Sequence, residues 1–80
     1  MSNIPVLKAK EVIRLLENLG FYEARQKGSH KQFRHEDGRA TTVPIHPGRD
    51  LSPLLLRQIA KDIGISIEDF LKSKLNFKPS

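Results

Sequence analysis

The chemistry of this chain is concentrated in one stretch, Lys27-Gly28-Ser29-His30-Lys31-Gln32-Phe33-Arg34-His35. Imidazole is the side chain whose ordinary titration lies nearest neutral pH, so His30 can take or give a proton in a cell. It follows a Gly-Ser pair, a tight connection in which glycine tolerates backbone angles that other residues avoid. Lys27, Lys31 and Arg34 surround it, with Arg25 just upstream. A proton carrier among cations suits a polyanionic substrate. RNA brings its own nucleophile, the 2′-OH beside each phosphate. A protein need only take that proton, stabilise the phosphorane charge and orient the chain. Acid–base help is worth ~10²–10⁴-fold, and fixed positive groups add to it. His30 is therefore the candidate base or acid. Lys27, Lys31 and Arg34 are candidate phosphate contacts, together with the backbone N–H groups of Gly28 and Ser29. A second proton carrier is not identified, and His35 and His46 stay open for that role.

Other chemistries fit these residues less well. The three histidines are spaced by five and eleven residues and no cysteine assists them. That matches no standard zinc pattern, so no metal site is expected. Ser29 and His30 are adjacent, which seldom gives the geometry of a serine triad, and no acid is placed to orient the imidazole. No organic cofactor is expected either.

Composition sets the wider bounds. Eighty residues make one domain, residues 1–80, with a thin core and little room for a deep pocket. The absence of cysteine rules out a disulfide framework and agrees with a cytoplasmic location. No apolar run is long enough for a membrane span, and Met1 to Lys10 lacks the apolar core of a signal peptide. The net charge of +5 points to anionic partners. Much of it lies between Arg25 and Arg49, where Arg25, Lys27, Lys31, Arg34, Arg39 and Arg49 face only Glu36 and Asp37, Asp50 being the next acid.

The flanking chain must position this stretch. Met1 to Leu7 reads as an irregular lead-in containing Pro5. Ala9, Val12, Ile13, Leu16 and Leu19 recur at helical steps, which predicts an amphipathic helix over Lys8–Leu19 ended by Gly20. Lys8 is a poor N-cap for it. Strands are expected over Phe21–Lys27, Lys31–His35 and Ala40–Ile45, with Asp37-Gly38 as a hairpin signal. Pro44 belongs at an edge or a strand end. His46-Pro47-Gly48-Arg49-Asp50 is a loop. Ser52-Pro53 starts a second helix with its stripe at Leu55, Leu56, Ile59, Ala60 and Ile63, and Gly64 ends it. Ser66 and Asp69 start a short third helix, and Ser73 to Ser80 reads as a tail beyond a core of about 6–72.

Strand parity assigns faces. Phe33 is the only large apolar residue of the second strand and must point inward; Lys31 and His35 share its parity, and the strand is short enough for both to escape at its ends. His30, Gln32 and Arg34 then occupy the open face. Thr41, Val43 and Ile45 share the inward face of the third strand. The fold class is α+β: a three-stranded antiparallel sheet in the order α-β-β-β-α, helices on one face, and a short extra C-terminal helix.

That order is that of a double-stranded-RNA-binding domain. Arg25-Gln26-Lys27-Gly28-Ser29-His30, Phe33-Arg34-His35, Asp37-Gly38-Arg39, Val43-Pro44, His46-Pro47-Gly48 and Asp69-Phe70-Leu71 resemble the HicA, or YcfA-like, toxin family from about Val6 to Leu71. Gln32 and Ala40-Thr41-Thr42 depart from it in being less apolar. The resemblance implies a double-stranded-RNA-binding-like fold and an mRNA interferase toxin held inactive by a HicB antitoxin. It also implies that His30, in the Gly-Ser-His motif, is the catalytic histidine. Two rival classes share the charge pattern. One is a binding module that grips RNA by shape and 2′-OH contacts without cutting it. The other is a protein-interaction domain docking an acidic partner. A binder has no need of an imidazole at position 30, and salt sensitivity marks phosphate contacts.

Overall fold

A computed structural model describes residues 6–46 and 48–76, with side chains as far as Ser73. Two short strands, β1 (Leu7–Lys8) and β5 (Asp50–Leu51), pair antiparallel with Leu7 opposite Leu51. Helix α1 (Ala9–Asn18) follows β1 directly. The main sheet has strands β2 (Tyr22–Lys27), β3 (His30–Arg34) and β4 (Ala40–Pro44), all antiparallel in the order β2-β3-β4. Helices α2 (Pro53–Ile63) and α3 (Ile67–Asn76) close the chain. The α-β-β-β-α order and the three-stranded sheet are thus present, in the manner of a double-stranded-RNA-binding domain.

The helices form where period and caps agree. Val12, Leu15 and Leu16 bury the inner stripe of α1. Lys8 has no acceptor to cap α1, and the Glu11 carboxylate instead reaches back to accept the Lys8 N–H at 3.0 Å. The Ser52 hydroxyl accepts the Leu55 N–H at 3.2 Å at the start of α2, with Pro53 at the first helical position. The Ser66 hydroxyl does the same for Asp69 at 3.0 Å. These helices bury Leu56, Ile59, Ala60, Ile63 and Phe70 against Phe33 and Val43 of the sheet, with Phe21 and Leu51 closing the cluster.

Two expectations are corrected. Leu7 is not part of an irregular lead-in but a strand residue, and Asp50 leaves the loop to pair with Lys8. Ser73 does not begin a tail. It is buried within α3, its hydroxyl donating to the Phe70 carbonyl at 2.7 Å, and the helix runs on to Asn76. Residues 1–5, Pro47 and 77–80, which carry the rest of the lead-in, the loop and the tail, lie outside the described residues.

The sheet is covered unevenly. Helices α1 and α2 pack beneath β4, whereas every residue of β2 is exposed. The β2–β3 hairpin therefore overhangs the core. Its tip is the Gly28-Ser29 turn, with Gly28 at φ +59 and no non-glycine residue at positive φ among those described. A glycine at positive φ followed by a residue at negative φ is the pattern of a type II′ turn, whose twist matches that of the flanking strands. The Gln26 side-chain amide braces it by donating to the Gly28 carbonyl at 3.0 Å.

Candidate nucleic-acid interface

Register determines which side chains share the open face of the sheet. Lys27 lies opposite His30, which lies opposite Pro44. Arg25, Gln32 and Thr42 form the next row, and Tyr22, Arg34 and Ala40 the row beyond. Directly opposed residues point to one side of a sheet. His30, Gln32 and Arg34 thus stand where their parity predicts, and Phe33 is fully buried on the other side.

Strict alternation along β2 would place Tyr22 and Lys27 on opposite faces. They share one because the pairing slips between Glu23 and Arg25, leaving Ala24 as an extra, bulged residue. The bulge turns Arg25 and Lys27 onto the side of His30. Cross-strand neighbours have Cβ atoms about 4.5–5.5 Å apart, which places Lys27 directly across from His30. Arg34 is four residues along β3, roughly 13 Å away at strand rise.

Two cations of the basic stretch are engaged elsewhere. Lys31 lies on the inner side and meets Glu23 at 3.3 Å beneath the overhang. It is therefore not brought together with His30, and its candidacy as a phosphate contact is weakened. The Arg39 guanidinium donates to the Ile63 carbonyl at 2.6 Å, satisfying the C-terminus of α2, and to Asp37 at 2.8 Å. Arg39 also lies 5.1 Å from the centre of the Phe21 ring. The Arg39 backbone N–H, then its side chain and His35, hold the Asp37 carboxyl below its ordinary range against an opposing desolvation. A depressed carboxyl stabilises the fold above its unfolded pKa and loses that contribution as pH falls through the folded value.

The histidines separate into two environments. His35 packs edge-on against Phe21, ring centroids 5.0 Å apart, and its Nδ1 accepts the Asp37 N–H at 3.1 Å. Nδ1 is also 3.1 Å from an Asp37 carboxylate oxygen. The two contacts are alternatives, since a protonated Nδ1 would leave the Asp37 N–H without its acceptor. Gly20, at φ +95, has its missing Cβ position only 2.9 Å from the His35 Nε2, so a larger residue there collides with the ring. His35 is a structural residue of the β3–β4 turn.

His46 lies next to His30. Their ring centroids are 6.4 Å apart and the planes nearly perpendicular. The Ile45 N–H donates to the Ser29 carbonyl at 2.6 Å, which ties the end of β4 to the hairpin turn. In that register the position of the missing Pro44 N–H faces away from β3, towards the free edge of β4, so no ladder bond is lost. Sequence reasoning did not single out Tyr22, and it left His46 open as a second proton carrier without placing it beside His30. Tyr22 is 52% exposed on the cationic face, where an aromatic ring is a platform for a base. Among the described residues no group of three His, Asp or Glu converges as a metal cluster.

These assignments make a graded test. Arg34 forms no ion pair among the described residues, whereas Lys31 is held by Glu23. Arg34→Ala is expected to weaken RNA binding and lower the slope of log K against log salt by about 0.7–0.9. Lys31→Ala is expected to leave both within error. Fluorescence anisotropy at several salt concentrations measures this, and an equal effect of the two substitutions would contradict the face assignment.

Fold and surface together define a class: a small domain of the double-stranded-RNA-binding type whose open sheet face is basic and bears a histidine. The family model described as HicA toxin of bacterial toxin–antitoxin matches residues 9–65. The chain belongs to that toxin family, and an antitoxin partner comes with such a system. No curated protein matches the chain. No helix among the described residues is long and apolar enough to cross a membrane.

Proposed function

We propose that this chain is a cytoplasmic mRNA interferase, an endoribonuclease that blocks translation and is neutralised by a HicB-type antitoxin. The observation that carries this reading is the exposed imidazole of His30 beside Lys27 on the open face of the overhanging hairpin. His30 takes part in proton transfer with the 2′-OH as nucleophile. Lys27 and Arg34 contact phosphates, and the N–H groups of Gly28 and Ser29 add donors at the turn. No metal is required, because the nucleophile belongs to the substrate. An antitoxin covering this face with acidic groups would meet it quickly through opposite charge.

The test is cleavage of a defined RNA by the purified chain in EDTA. Cleavage is expected to persist and to leave a 2′,3′-cyclic phosphate or its opened product. A 2′-deoxyribose at the cut position is expected to stop it. With the co-expressed antitoxin, cleavage should cease and the amides of Gly28 to Arg34 should gain hydrogen-exchange protection. Cutting of the deoxy substrate would show a different mechanism. RNA bound but never cut would favour the non-catalytic binding module.

A further inference from the structure

Cleavage through the 2′-OH moves two protons, one off the nucleophile and one onto the departing 5′-oxygen. One imidazole does both only in sequence, whereas two act in a single step. His30 has a second imidazole beside it, at 6.4 Å between ring centroids, and both rings are exposed. At that separation nitrogens of both rings reach oxygens of one phosphate. The Ile45-to-Ser29 hydrogen bond fixes the approach of the two chain segments. His46 also lines a groove of about 160 Å³ with Lys8, Ala9, Lys10, Ile45 and Arg49. None of these belongs to β2 or β3. The groove offers an apolar floor, Ala9 and Ile45, and a cationic rim, which suits a nucleoside and the phosphate that follows it. Lys8 of that rim is shared with Asp50 at 3.3 Å, leaving Lys10 and Arg49 nearest an incoming phosphate.

Resting on the ribonuclease reading, we propose that His46 is the second proton carrier of this site, the general acid for the departing 5′-oxygen. The nucleotide held over Lys27 and His30 supplies the 2′-OH, and its neighbour lies in the groove beside His46. The neutral His30 ring accepts the 2′-OH proton as the 2′-oxygen forms its bond to phosphorus. The bond from phosphorus to the 5′-oxygen breaks, its electron pair stays on that oxygen, and protonated His46 donates the proton that neutralises it. The products are a 2′,3′-cyclic phosphate and a 5′-hydroxyl. Exchange with water then returns one proton to His46 and removes one from His30. The groups facing His46 are His30 from β3, Lys8 from β1, Lys10 from α1 and Arg49 from its own loop.

The experiment compares wild type, His30→Ala and His46→Ala on a normal RNA and on one with a bridging 5′-sulfur at the cut. Sulfur departs without protonation, so it relieves the need for an acid and leaves the need for a base. His46→Ala is expected to cut normal RNA ~10²–10⁴-fold more slowly. It should regain nearly the wild-type rate on the sulfur substrate, which also shows that the variant is folded. His30→Ala should stay slow on both. An undiminished His46→Ala, or one slow on both substrates, would overturn the proposal while leaving the ribonuclease reading intact. Rescue of His30→Ala instead would overturn the assignment of acid and base. A wild-type chain that cuts neither substrate would sink both readings.

Discussion

Induced expression of the wild-type chain in bacteria is expected to arrest growth, and His30→Ala is expected to abolish that arrest while the protein stays soluble and folded. The two halves of this result have different physical origins. Loss of a positioned acid–base group lowers the cleavage rate by ~10²–10⁴-fold, enough to let message synthesis outpace destruction. Retention of the fold follows from position. His30 is exposed on the face of β3 opposite the core. Surface truncations away from caps and networks usually change stability by no more than about 0.5 kcal/mol. Growth curves, immunoblots of the soluble fraction and thermal melts measure the three quantities together. Equal toxicity of the two proteins at equal soluble levels would remove His30 from the mechanism.

Phe33→Ala is expected to fail for the opposite reason. Phe33 lies three residues along the same strand, yet it is fully buried among the helices. Truncating a buried phenylalanine costs about 3–5 kcal/mol, combining lost transfer energy with the cavity left behind. At roughly 0.05–0.15 kcal/mol per residue, an 80-residue domain holds about 4–12 kcal/mol in total. The substitution therefore removes a large share of the whole, and Tm should fall by ~12–40 °C. Urea denaturation gives the same quantity as a lower midpoint at unchanged slope. A loss below about 1 kcal/mol would mean that Phe33 is not the anchor of β3. Both variants are expected to lose activity, but only Phe33→Ala by unfolding, so the pair separates chemistry from scaffold.

Much of the scaffold was legible because it rests on period and caps. The stripe of α2, its Ser52-Pro53 start and the inward Phe33 all follow from local rules that the tertiary structure does not override. The pairing of β1 with β5 was not legible, since strands of two residues have no period to detect. The last turn of α3 was missed because Ser73, a residue typical of loops, occupies an inward helical position and satisfies its hydroxyl on the preceding turn. At the site, the exposure of His30 and Arg34 was readable from parity. Parity also gave Lys31 the side of Phe33, but its expected escape at the strand end did not allow for Glu23, which meets it on that side. The approach of His46 to His30 depends on a hydrogen bond between residues 16 positions apart and leaves no trace in local spacing.

The bulge at Ala24 ties function to residue count. Tyr22 and Lys27 flank a segment in which one residue is spent on changing phase. Losing Ala24 would leave Tyr22 and Lys27 four positions apart, so plain alternation would keep both on the side of His30 and only the local bend and twist of the bulge would go. Losing a residue and keeping the bulge, by contrast, would put Tyr22 out of phase with the cations. A homologous hairpin with a straight β2 would need its cations one position over to present the same surface.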